Sequence, residues 1–88
     1  MRADRGYWNL PEAALGMPFP AGMNALNATR LGHPVASTAM LTCRRYTGPE
    51  AVAAGIAHET ADADALLDRA VEVAAGLAPW RGANYAGI

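Results

Sequence analysis

The sequence predicts a small, mostly α-helical chain with one or two short strands. Three observations carry this. Asp62–Leu77 repeats apolar residues at helical spacing, with Leu66, Leu67, Ala70, Val71, Ala74, Leu77 and Ala78 on one stripe and Asp64, Asp68, Arg69 and Glu72 off it. Glycine and proline punctuate the rest into runs too short for anything but brief helices. Gly6–Leu10 carries Tyr-Trp in a short apolar run that suits a strand.

In chain order, Met1–Arg5 is short and charged, and Gly6–Leu10 is the strand, ended by Pro11. Glu12–Leu15 fits one helical turn closed by Gly16. Met17–Gly22 holds two prolines and a glycine in six residues and is a loop with apolar side chains, which either cap a core or line a pocket. Met23–Leu31 reads as a helix stopped by Gly32. His33-Pro34 restarts the chain, with Pro34 at a first helical position. Val35–Cys43 continues as a helix, with Ala36, Ala39, Met40 and Cys43 on one face. His33 fits a capping or surface role, and Cys43 a small core residue.

Arg44-Arg45-Tyr46 breaks the apolar pattern. The two arginines suit either phosphate or a solvated helix end. Thr47-Gly48-Pro49-Glu50 is a helix start in which Glu50, three residues after Thr47, completes a capping box. Ala51–Ala54 follows, Gly55 stops it and Ile56 packs back. Ala57–Glu59 is a short extended link. Pro79 ends the helix Asp62–Leu77, and Trp80–Ile88 shows no regular pattern.

With 88 residues there is one domain at most. Such a chain buries roughly 60–65% of its unfolded surface, which is marginal for an independent core. Its apolar fraction of 52% is largely alanine, which suggests helices packed closely against something larger. A net charge of −1 without a single lysine argues against a nucleic-acid face. One cysteine excludes an internal disulfide, and no Cys/His spacing suits zinc or another metal. There is no membrane-spanning apolar run and no apolar leader after Met1–Arg5, so a cytoplasmic location is expected.

Glu12 is the acid with unusual surroundings, at the end of an apolar run and next to an apolar loop. A carboxylate against apolar surface is costly unless paired or protonated. Such a group suits proton transfer near neutral pH. The alternative is a first-turn Glu after a proline, favoured by the helix dipole.

The order of these signals resembles the crotonase superfamily, the enoyl-CoA hydratases and isomerases. The match runs from Trp8-Asn9-Leu10-Pro11-Glu12 through Gly16, Pro18–Gly22 and Gly32 to Gly48-Pro49-Glu50-Ala51-Val52-Ala53-Ala54-Gly55-Ile56. The helix Asp62–Leu77 follows where that family has an Asp/Leu-rich helix. The resemblance implies an α/β fold, a spiral of ββα units. Residues 1–88 would form its C-terminal part, a fragment lacking the N-terminal CoA-binding and oxyanion-hole units.

The resemblance also implies roles. Glu12 matches the family's catalytic glutamate, and Leu10, Pro18 and Phe19 fall where acyl-pocket walls are expected. The substrate would be an acyl-CoA thioester of fatty-acid metabolism. No cofactor is implied, since CoA is part of the substrate. A homotrimer or hexamer would be the family's assembly. Hydratases use a second, upstream glutamate, whereas in isomerases one glutamate can be the sole base. Gly16–Met23 is closer to the isomerase-like loop, with Met23-Asn24 where hydratases carry Arg-Leu. The competing reading is a non-catalytic interaction module or an inactive truncated fragment.

Overall fold

A computed structural model describes residues 1–87. Strand β1 is Tyr7–Trp8, followed by helices α1 (Ala21–Leu31) and α2 (His33–Thr42). Strand β2 (Tyr46–Thr47) runs directly into α3 (Gly48–Ala53). Helix α4 (Leu66–Leu77) continues through a tight 3₁₀ turn at Ala78–Trp80 to the one-turn helix α5 (Ala83–Ala86).

Helix α1 begins at Ala21, two residues earlier than expected, because Pro20 stands as its N-cap and Asn24 N–H donates to the Pro20 carbonyl at 3.0 Å. Gly32 serves two helices at once. Its N–H donates to Ala28 O at 3.1 Å at the end of α1, and its carbonyl accepts Ala36 N–H at 2.9 Å at the start of α2. At φ 72° and ψ 157° this junction requires a residue without a Cβ. Helix α2 therefore folds back on α1 with no intervening loop.

The strand at Tyr46–Thr47 corrects the reading of Arg44–Tyr46 as a simple break. β1 and β2 pair antiparallel, Tyr7 opposite Thr47 and Trp8 opposite Tyr46. The Trp8 and Tyr46 rings lie 6.0 Å apart between centroids, tilted by 58°. The guanidinium of Arg44 sits 4.6 Å from the Tyr46 ring centroid, and that of Arg45 sits 4.5 Å from the Tyr7 centroid. The arginines are thus stacked on the aromatic faces of the small sheet. Arg44 also meets Glu50 at 3.5 Å.

The capping box is present as read. Glu50 Oε2 accepts both the backbone N–H and the hydroxyl of Thr47 at 2.9 Å. Past Gly55 the chain turns back, with Ile56 N–H donating to Ala51 O at 2.8 Å. The link expected to be extended bends at Ala57 and His58. It leads to Ala61, whose N–H donates to Met1 O at 2.9 Å and whose carbonyl accepts Ala3 N–H at 3.0 Å.

The core is small. Leu10, Ala39, Tyr46 and Ala51 are buried together, with Trp8, Phe19, Met40 and Ile56 packed on its edge. Ala39 of α2 and Ala51 of α3 are fully covered. Helix α4 starts at Leu66, four residues later than the stripe suggested, because Asp62–Ala65 forms a separate turn. None of its residues is buried, and Leu67 and Val71 of the stripe are open to solvent. The radius of gyration is 15.2 Å, against about 12 Å for a compact chain of this length. Residues 80–87, expected to be irregular, contain α5; Ile88 lies outside the described residues.

Candidate active site

Glu12 stands in a hydrogen-bonded turn between the strand and α1. Leu15 N–H donates to Pro11 O and Glu12 O at 3.1 Å, and Met17 N–H donates to Glu12 O at 2.9 Å. Gly16 closes the turn at φ 67°. This is one tight turn with no helix following it, since Pro18 and Pro20 allow none. Ala14 N–H points outward and donates to Cys43 Sγ at 3.3 Å, at the C-terminal end of α2.

The Glu12 side chain is half-buried. Its Oε2 is shut off from solvent and has no hydrogen-bond partner among the described residues. Buried acceptors are nearly always paired, and leaving a carboxylate oxygen unpaired is costly. Asn27 Nδ2, on α1, is the other buried side-chain polar atom in this condition. Nothing in the spacing of Asn24–Arg30 marks Asn27 as buried, because it stands among the polar residues of that helix.

The expected pocket walls fall in different environments. Leu10 belongs to the core, at 7% exposure. Phe19 is half-buried and packs on the edge of that core. Pro18 is exposed. The stretch Leu10–Phe19 therefore places Glu12 between a core residue and an open apolar loop, with Leu15 and Met17 on the surface.

Three surface hollows lie elsewhere. One, of about 580 Å³, runs between Ala57–Ala61 and the Leu66, Arg69, Ala70 and Val73 side of α4. A second of about 410 Å³ lies among α2, β2 and α3, and a third of about 270 Å³ between α1 and α2. None of them is lined by Glu12, Leu10, Pro18 or Phe19.

The charged side chains beside the hollow along α4 are engaged with one another. Arg69 binds both Glu59 oxygens, at 2.6 and 3.1 Å, and Glu72 at 2.8 Å. Its guanidinium holds the Glu59 carboxyl below the usual carboxylate range. Arg30 approaches His58 Nε2 at 3.1 Å. Among the described residues, no three His, Cys, Asp or Glu side chains come together as a metal site would need. His33 is exposed at the start of α2. Cys43, read as a core residue, is instead half-buried and faces the Glu12 turn. A sequence signal for it did exist: it stands at the end of a helix, where glycine is the usual residue.

These elements are those of a known family. A model of the enoyl-CoA hydratase/isomerase family matches residues 1–86, and the chain belongs to that family. It is similar to "Enoyl-CoA delta isomerase 3" of Arabidopsis thaliana, with 33% identity over 93 residues, covering 100% of this chain and 39% of that protein. A crystal structure of an enoyl-CoA hydratase/isomerase family member aligns with a TM-score of 0.73 at 22% identity, over 84% of this chain and 29% of that one. The fold is thus the α/β crotonase fold, represented by a mostly helical part with two short strands. The chain spans about two fifths of the length of the curated relative. No helix among the described residues is long and apolar enough to cross a membrane.

Proposed function

We propose that Glu12 is the proton-shuttling carboxylate of an enoyl-CoA isomerase that acts on an acyl-CoA thioester. The observation that carries this is Glu12 Oε2, withdrawn from solvent with no partner to satisfy it. An acceptor left open in this way is suited to receive a proton from carbon. The name of the 33%-identical relative, a delta isomerase, supports isomerisation over hydration.

The chemistry needs one base. Glu12 takes a proton from C2 of a 3-enoyl thioester, and the electrons of that C–H bond pass into an enolate. The double bond then moves to C2–C3 as the same carboxyl returns the proton to C4. The charge gathered on the thioester oxygen calls for backbone N–H donors, which typically contribute a few kcal/mol each. We assign those donors, and the CoA contacts, to family units beyond residues 1–88. Leu10 and Phe19 back the turn, and Pro18 would line the acyl chain once those units are in place. A trimer or hexamer is the assembly in which we expect the active form.

The test is turnover of a 3-enoyl-CoA, followed by absorbance of the conjugated 2-enoyl product. Turnover that is lost in Glu12→Gln supports the reading. Turnover that survives Glu12→Gln assigns the base elsewhere. A folded chain that gives no product, even when supplied with the preceding family units, favours a non-catalytic module.

A further inference from the structure

We propose that Cys43 is a positioning residue for Glu12, an inference that rests on the catalytic role given to Glu12 above. The turn Pro11–Met17 is closed on itself, since Leu15, Gly16 and Met17 donate their N–H groups within it. One hydrogen bond among the described residues leads out of it, from Ala14 N–H to Cys43 Sγ. Ala14 is two residues beyond Glu12. This contact therefore sets how the turn, and the carboxyl it carries, sits against the end of α2.

Cys43 makes the contact from a costly backbone conformation. At φ 54° and ψ 27° it is left-handed, and it is the one non-glycine residue with positive φ among the described residues. A Cβ is strained there, and glycine is the ordinary occupant. Strain of this kind persists where the surroundings give something in return. Glycine would relieve the strain but has no side-chain acceptor to offer. The sulfur acts only as that acceptor, a weak one, for an N–H with no other partner in the turn. No reactivity of the thiol is involved.

The experiment compares ¹⁵N,¹³C-labelled chain 1–88 with Cys43→Gly and Cys43→Ser, by amide exchange, by the Glu12 side-chain carboxyl ¹³C signal and by melting. In Cys43→Gly the melting temperature should hold or rise as strain is released. Ala14 amide exchange should nonetheless quicken about twofold, the loss of one weak hydrogen bond, and the Glu12 signal should move. Cys43→Ser keeps an acceptor and should recover most of both. Where the protein turns over a 3-enoyl-CoA, Cys43→Gly should lower kcat and leave KM unchanged.

Unchanged Ala14 exchange and Glu12 signal in Cys43→Gly would overturn the proposal. So would loss of the melting transition in Cys43→Gly, which marks a merely structural role, or exchange of Ala14 at the unfolded rate in the unaltered chain. The spectroscopic readings need no turnover. Moved Ala14 and Glu12 signals uphold the positioning even if Glu12 proves not to catalyse. Turnover that is lost in Glu12→Gln but untouched in Cys43→Gly keeps the catalytic role and removes the positioning.

Discussion

The carbonyl oxygen of Arg2 occupies the space that a Cβ on Gly48 would need, and the Thr60 methyl group lies 3.0 Å from that position. Gly48 opens α3, and the segment around Arg2 is itself bridged to Ala61. Three parts of the chain thus meet at one residue without a side chain. Gly48→Ala should destabilise by about 1–3 kcal/mol, because the blocking atom is backbone and cannot rotate aside. Gly76, inside α4, has open space around its Cβ position. Gly76→Ala should stabilise by about 0.5–1 kcal/mol through helix propensity alone. Denaturant midpoints of the two variants should move in opposite directions.

The capping box makes stability depend on acid. The backbone N–H of Thr47, then its hydroxyl, hold the Glu50 carboxyl below its ordinary value of 4.5. A group whose folded value is depressed adds stability that is fully present above the unfolded value and lost as pH falls through the folded one. Glu59, held down first by its hydrogen bond to Arg69, acts in the same direction. Melting temperature should therefore be flat from neutral pH down to about 5 and fall below that. Glu50→Gln should flatten part of the decline. An equal decline in Glu50→Gln and the unaltered chain would remove the box from the explanation.

Two leucines should separate the core from the uncovered helix. Leu10 is buried against Ala39, Tyr46 and Ala51, whereas Leu67 is 74% exposed on α4. Leu10→Ala should cost roughly 2–4 kcal/mol, the usual range for a cavity in a core. Leu67→Ala should change stability by less than about 0.5 kcal/mol. A large loss in Leu67→Ala would mean that the stripe of α4 is covered in solution, for instance by another subunit.

What the sequence disclosed and what it concealed divide along a physical line. The box at Thr47 and Glu50, the stop at Gly32 and the start at Pro34 are local, made by residues within a few positions of one another. They could be read directly. Strand β2 could not, because Tyr46 and Thr47 are a strand only by virtue of Trp8 and Tyr7, far back in the chain. The first turn of α4 was misread because Asp62 and Asp64 are good residues for a helix start, yet Ala65 N–H turns back to Asp62 O at 3.1 Å and closes a separate turn. At the site, Glu12 was conspicuous from its apolar neighbours. Cys43 was less so: on an alanine face it reads as core, and its place at a helix end was the one hint that the backbone reverses beneath it.

The last prediction sets stability against activity at Glu12. Its Oε2 is buried without a partner, so the folded chain carries a desolvation cost that the unfolded chain does not. Residues kept for chemistry often carry such a cost, and replacing them tends to stabilise. A side chain of similar shape without charge removes most of it. Glu12→Met should therefore raise stability by about 1 kcal/mol in denaturant unfolding at pH 7. Glu12→Asp should not, because it keeps the charge and withdraws it toward the turn. A Glu12→Met variant no more stable than the unaltered chain would mean that Oε2 is solvated in solution, and the unpaired oxygen would then no longer support proton transfer at this position.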